Sequence, residues 1–299
     1  MKNGTLAALG AYLLWGLFPV YWKTIEHVPA PEILSHRVAW SLVAAALLLG
    51  VQRQWGWLRW IGEKPARLLP FAGTGLLLSV NWLTYLWANN NGHIVETSLG
   101  YFINPLVNVL LGVVFLRERM RPWQWVAIGL AAAGVTYLTL GFGRLPWIAL
   151  TLAFSFGFYG LIRKTAALRS VEGLAAETGL MFLPATFYLV YLAMRGTGSF
   201  AAVSLPTTLL LTFAGLATAI PLILFAYGAR RVPLTTLGIL QYVAPTLQFI
   251  LGALVYGEGF TQPRLIGFSV IWAALVLYSV EGLVTRRRVG AGFSASTEI

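Results

Sequence analysis

Residues 99–119, from Leu99 to Arg119, read LGYFINPLVNVLLGVVFLRER. The run is apolar over the ~20 residues that a helix needs to cross a bilayer. It ends on Arg117, Glu118 and Arg119, so one end is wet. Pro105 sits in its middle, and Tyr101, Asn104 and Asn108 recur at steps of three and four, which puts them on one helical face. A polar face on a helix of that length is costly unless it meets protein or water. The stretch predicts a bent membrane span with one side turned inward.

It also has a twin. Residues 239–259 read ILQYVAPTLQFILGALVYGEG. At an offset of 140, Pro105 falls on Pro245, Gly112 on Gly252, Glu118 on Glu258, Tyr101 on Gln241 and Asn108 on Gln248. Upstream, Glu32 falls on Glu172, and an offset of 141 puts Gly16 on Gly157 and Lys23 on Lys164. A nearly constant offset through several segments marks an internal repeat. The twin carries Gly257 and Gly259 where the first copy has its two arginines.

The rest of the chain is of the same kind. Of 299 residues, 58% are hydrophobic and only 10% charged, whereas a soluble domain is about a quarter charged. Apolar runs recur from end to end, with a mean hydropathy of +0.74. The chain reads as an all-α polytopic membrane protein whose first partner is the lipid bilayer. A net charge of +11 could point to nucleic acid, but the basic residues sit at helix ends rather than on one surface, so they set topology and no nucleic-acid partner is expected. There is no cysteine or aspartate, and the histidines are His27, His36 and His93. No metal site and no cofactor are expected, and no Gly-rich phosphate loop points to ATP.

Ten spans are predicted, near 5–23, 32–51, 68–89, 95–116, 122–140, 146–164, 172–194, 206–229, 234–256 and 263–284. The first reads as a retained helix rather than a cleaved signal, because its apolar run is long and lacks a small-residue cleavage site. With the N-terminus in the cytoplasm, sixteen of the 21 Lys and Arg residues lie on the cytoplasmic side and four outside, with Arg37 inside a helix. Both termini are then cytoplasmic. The units are a first repeat over 1–141, a second over 142–285, and a basic, polar tail over 286–299 expected to be disordered. Five spans per unit is odd, so the second unit is inverted relative to the first, an arrangement many secondary transporters use.

Predicted helices 1–4 and 6–9 carry the polar groups. Cavity candidates are Tyr12 and Trp15; Asn81, Tyr85 and Asn89, spaced by four; Tyr101, Asn104 and Asn108; Tyr159; and Gln241, Tyr242 and Gln248. Aromatics and amides with few charges suit an amphipathic or zwitterionic organic molecule better than a bare ion. The competing reading is packing: membrane amides bond neighbouring helices, and Asn104 could cap carbonyls that Pro105 frees. Trp22, Trp57, Trp60 and Trp123 read as an interfacial belt.

Arg37 lies in the outer half of its helix and should be paired or wet. Glu96 or Glu32 is the predicted partner, making either a gate or substrate-carboxylate site, or a fixed ion pair. Glu177, at the repeat position of Arg37, is a coupling candidate or a partner for Arg163 or Lys164. Glu96 and His36 are further coupling candidates, His36 because imidazole titrates near neutral pH. Pro105 and Pro245 mark two related bends, with Asn108 and Gln248 facing across the repeat axis. Predicted helices 5 and 10 hold small residues (Ala127, Ala131, Gly134, Gly267, Ala274) that suit close packing, as supports or as a homodimer contact.

Two such halves, each ending on a proline-bearing helix followed by Gly112 or Gly252 and Glu118 or Glu258, resemble the EamA repeat of the drug/metabolite transporter superfamily. Within it, Glu32 to Arg37 (EILSHR), Asn81-Trp82, Trp87 to Asn90 (WANN), Ser98 to Asn108 (SLGYFINPLVN), Ala153 to Gly160 (AFSFGFYG) and Gln241 to Leu247 (QYVAPTL) resemble the RarD branch. The resemblance covers essentially the whole chain. It implies a ten-helix bacterial inner-membrane permease with a cavity between helices 1–4 and 6–9, of a group described by chloramphenicol sensitivity or resistance.

The reading is a secondary transporter, exporting small organic solutes such as drugs, metabolites or amino-acid-like compounds by alternating access. One rival is a non-transporting helical partner protein, which needs no cavity between the halves. The other is an intramembrane enzyme, for which the chain lacks a His-Glu-x-x-His helix and a Gly-x-Ser-x-Gly elbow. No catalytic residue is assigned.

Overall fold

The computed structural model describes residues 2–90, 93–140, 145–255 and 262–295. The Asn89 side chain, Glu258, and the side chains beyond Glu281 lie outside that description. The described chain is all-helical: α1 Lys2–Lys23, α2 Ala30–Gln52, α3 Gly56–Glu63, a 3-10 turn Pro65–Leu68, α4 Leu69–Asn90, α5 Ile94–Leu116, α6 Pro122–Leu140, α7 Trp147–Thr165, α8 Ser170–Arg195, α9 Leu205–Ala229, α10 Leu234–Gln241, α11 Val243–Leu254 and α12 Gln262–Ala295. Among the described residues, six helices (α1, α2, α6, α8, α9 and the Leu99–Leu116 part of α5) are long and apolar enough to cross a membrane.

Proline and glycine set the boundaries. α2 and α9 carry proline in their first turn, where its missing N–H is no loss, and α7 and α10 begin directly after Pro146 and Pro233. Ser204 Oγ accepts from Thr207 N at 3.2 Å to cap α9. α8 stops on Gly196 at φ +65°. Arg53 and Arg117 close α2 and α5 in the same left-handed conformation at φ 52° and 53°, without the glycine that position favours.

Three features depart from the expected spans. The connection after α2 folds into α3 and the 3-10 turn; Trp57, Trp60 and Ile61 lay their apolar sides on Phe71, Ala166 and Leu168 while Arg59 and Lys64 stay exposed. The predicted ninth helix is two helices, broken at Tyr242. Pro245 lacks the N–H that would bond the Gln241 carbonyl, so the ladder opens there. α5 runs unbroken through Pro105, so the two prolines do not produce like bends. Last, α12 continues to Ala295, where a disordered tail was expected from residue 286; residues 296–299 lie outside the described residues.

The packing respects the repeat. α2 packs on α8, α6 on α12 and α5 on α10, each helix meeting its own repeat mate. α1 on α9 is matched by α7 on α4, and α1 on α10–α11 by α7 on α5. Close approaches occur at glycines: a Cβ on Gly215 would lie 2.3 Å from Trp40 Cβ, and one on Gly238 would lie 2.5 Å from the Pro105 carbonyl oxygen. The small residues of α6 and α12 are used within the chain, since Ala131, Val135, Ile271 and Ala274 form one buried cluster and Gly134 backs onto Ile271.

The two ends of the bundle differ. One gathers the arginine-rich loops: Arg121 Nε lies 2.8 Å from Glu281 Oε1, Arg230 Nη1 donates to the Ala166 and Leu168 carbonyls at 2.6 and 2.7 Å, and Gly4 abuts Arg231. The other holds the Glu32 contacts with Ser199 and the Tyr21 hydroxyl bond to the Leu210 carbonyl.

Candidate functional site

A cavity of about 230 Å³ lies between the two repeats. A space of that size suits a small solute. α1, α2, α4, α5, α7, α9, α10 and α11 contribute to its wall.

The floor is aromatic. Tyr12, Trp15, Phe156, Tyr159 and Phe225 form a connected set with ring centroids 5.2 to 6.2 Å apart. Such pairs contribute about 0.5–1.5 kcal/mol each beyond area burial. Tyr12, Trp15 and Phe156 line the cavity, Tyr12 itself fully buried, and the equally buried Tyr159 and Phe225 lie behind them.

The side walls carry the amides. Asn81 Nδ2 donates to the Leu152 carbonyl and Ser155 Oγ, both at 2.9 Å, tying α4 to α7. Gln248 Nε2 donates to the Trp15 carbonyl at 3.1 Å, tying α11 to α1. Asn104 and Gln241 border the cavity and are bridged from behind by Asn108, whose Nδ2 donates to Gln241 Oε1 at 2.7 Å and Asn104 Oδ1 at 3.2 Å. Tyr85 and Tyr101 meet edge-on with centroids 6.2 Å apart.

Arg37 stands at the end away from the floor. Its Nε donates to Thr218 Oγ1 at 2.8 Å, and its Cζ lies 4.9 Å from the Trp22 ring and 4.5 Å from the Trp82 ring. The expected pairing with Glu32 or Glu96 does not occur. Glu32 Oε1 accepts from Ser199 N at 2.6 Å and Phe200 N at 3.2 Å; Glu96 Oε1 accepts from Ile148 N at 2.8 Å. Both carboxylates satisfy backbone donors that open the next segment, a stronger demand than an ion pair across a wet cavity.

The end carrying the arginine-rich loops is sealed. Glu118 Oε1 and Oε2 accept from Leu234 N at 2.6 Å and Thr235 N at 2.9 Å, capping α10, and Lys164 Nζ lies 3.8 Å from Oε1. Lys164 also donates to the Ala229 carbonyl at 3.0 Å and to the Val232 carbonyl. Deeper, Arg163 Nε lies 3.5 Å from Glu177 Oε1, with both side chains 1% exposed.

Eight of the twelve cavity candidates thus border one cavity: Tyr12, Trp15, Asn81, Tyr85, Tyr101, Asn104, Gln241 and Gln248; so do Arg37 and Pro245. Asn108 and Tyr159 lie behind it, and Tyr242 turns away to donate to the Phe102 carbonyl at 3.2 Å. Asn89 falls outside the described side chains. Asn108 faces Gln241 rather than Gln248, because the break at Tyr242 swings α11 toward α1. Glu96, Glu177 and His36 do not border the cavity; His36 stacks on Phe200 with centroids 4.8 Å apart. Sequence reasoning missed Thr218 and Trp82 and assigned Trp22 to a lipid belt. Trp22 was findable: with Trp15, Phe18 and Pro19 it falls on the same face of α1.

A helical membrane protein whose two related halves enclose a polar-aromatic cavity has the architecture of a solute transporter. The chain belongs to the EamA-like transporter family, whose profile matches residues 2–140 and 145–280, and within it to the RarD branch. It is 48% identical over 295 residues to Protein RarD of Streptomyces exfoliatus, covering 99% of this chain and 94% of that one. It is 45% identical over 291 residues to the uncharacterized transporter YojE of Bacillus subtilis, covering 96% of each. A solved structure described only as a crystal structure of a protein superposes with a TM-score of 0.67 over 93% of this chain and 98% of its own, at 19% identity, which shows a shared fold.

Proposed function

We propose that this protein is a secondary transporter of the bacterial inner membrane that moves small organic solutes outward by alternating access. The observation that carries the reading is the cavity between the repeats, bordered by amides and aromatics from both. Ten crossings follow if α10 and α11 together make one span and α3 lies along the surface. Both termini are then cytoplasmic, because the arginine-rich loops share the sealed end and arginine-rich loops stay in the cytoplasm. In this orientation the structure is the outward-facing state. A partner protein without transport would have no use for such a cavity. Any homodimer through α6 and α12 would have to use their outward faces, where Trp125, Val126 and Tyr137 are exposed, since the small residues are already packed. Proton coupling, where it operates, runs through Glu177, Glu96 or His36, none of which touches the cavity.

The test compares metabolites inside and outside cells with and without the protein, then measures exchange of enriched compounds in proteoliposomes. An enriched compound is expected to exchange unaltered across the membrane. A chemically changed product would identify an enzyme, and no exchange of any enriched compound would end the transport reading. An imposed pH gradient with E177Q and E96Q tests the coupling residues: unchanged gradient-driven uptake in both removes the carboxylates from the mechanism.

A further inference from the structure

We infer that the cavity is built for a small organic carboxylate and that Arg37 is the group that holds it. The inference deepens the transport reading and rests on its choice of cavity.

Arg37 is a formal cation set among membrane helices, half-buried, on the cavity wall. A lone charge there is costly unless matched. Among the described residues no carboxylate lies within ion-pair distance of it, and the two that the sequence offers as partners hold backbone N–H groups instead. Thr218 Oγ1 takes the Nε hydrogen at 2.8 Å. Among the described residues the two Nη groups have no hydrogen-bond acceptor. They form a fork, and a fork of parallel N–H donors matches a carboxylate edge to edge.

The orientation of the fork is fixed rather than loose. The Trp22 and Trp82 rings lie 4.9 and 4.5 Å from Cζ. Ring faces ease the cost of a bare cation only in part, well short of what an anion supplies. They also restrict the plane of the guanidinium, so less freedom is lost when a ligand arrives.

The repeat supplies a comparison within the same molecule. Trp22 and Arg37 align with Arg163 and Glu177 at offsets of 141 and 140. In the second repeat the charge at the Arg37 position is answered by protein: Glu177 lies 3.5 Å from Arg163. In the first repeat it is answered by tryptophan faces and a cavity whose wall, among the described residues, holds no aspartate or glutamate. The missing negative charge is the solute's to bring. The remaining wall, with Trp15, Phe18 and Phe156, takes an apolar or aromatic body, which separates an organic carboxylate from an inorganic oxyanion.

Calorimetric titration of the purified protein with phenylacetate, phenylacetamide and inorganic phosphate tests this. Phenylacetate should bind at least tenfold tighter than its isosteric amide and than phosphate. R37Q should abolish that preference, and R37K should weaken phenylacetate binding several-fold, since an ammonium keeps the charge but not the fork. T218V, which keeps the charge and frees Nε, should narrow the preference with the elution profile of the folded protein unchanged, so a misfolded R37Q does not leave the question open. Equal affinity for acid and amide, equal affinity for phosphate, no binding by any of the three, or an undiminished preference in R37Q would each overturn the assignment. The transport reading fails separately: carboxylates that bind but never exchange in liposomes would sink transport and leave the site, while exchange of neutral solutes without carboxylate preference would sink the site and leave transport.

Discussion

Glu118 joins three helices at one end of the molecule. Its two oxygens take the first free N–H groups of α10, a position where a carboxylate also meets the positive end of the helix dipole. Lys164, 3.8 Å away, brings in α7. The amide in E118Q keeps the shape but loses the charge, and should cost about 1–2 kcal/mol of stability at that end. The protein has no cysteine, so a single T235C reporter, buried at the α10 start, gives a clean measure. Its maleimide labelling should rise when E118Q is added, and equal labelling rates would show that the cap does not hold the seal.

Between elements, contact distance is set by glycine. A methyl on Gly238 would press on the Pro105 carbonyl oxygen at 2.5 Å and on Asn108 Cβ at 3.1 Å. G238A should therefore part α5 from α10, weaken the 2.7 Å bond from Asn108 to Gln241, and destabilise by about 1–3 kcal/mol. On α6, Gly129 has nothing within 4 Å of its would-be Cβ, so G129A should be neutral or gain up to about 1 kcal/mol. Thermal melts of the two variants in one detergent decide it; equal effects would mean that the Gly238 approach carries no weight.

Elements also show what a sequence can tell. The apolar runs were legible because lipid demands long uninterrupted stretches, and the polar face of α5 because helical periodicity survives in a one-dimensional string. The partners of Glu32, Glu96 and Glu118 were not. Each caps a segment 52 to 167 residues away, and nothing local in the sequence encodes such a meeting. The same holds for Arg37, whose partner Thr218 is one of four threonines in a mostly apolar helix. The break at Tyr242 was half legible: Pro245 predicts a freed carbonyl, but Pro105 frees one too and α5 stays whole.

Across the whole molecule, the repeat turns one conformation into a forecast of another. Phe18 and Tyr85 align with Tyr159 and Phe225 at offsets of 141 and 140. Tyr159 and Phe225 stack at the sealed end with centroids 5.8 Å apart, while Phe18 and Tyr85 border the open cavity. If the halves exchange roles, as inverted repeats do, Phe18 and Tyr85 should close on each other as their mates do now. An F18C/Y85C pair should cross-link under oxidation faster when solute is present, stop transport, and recover with reductant. Cross-linking at the same rate with and without solute would argue against that motion.

The packed aromatic floor has an electrical consequence. In the proposed orientation the cavity communicates with the outside, and water in it conducts far better than the stacked rings beneath. The membrane voltage, about 2.3 kcal/mol per elementary charge per 100 mV, then falls almost wholly across the slab from Tyr12 to the Glu118 cap. Arg37 sits above that slab, near the outer potential. An anion can dock there without crossing the field, so its affinity should be nearly independent of voltage. Charge moves only in the step that carries the solute past the rings, and voltage governs how fast the molecule turns over rather than how well it is filled.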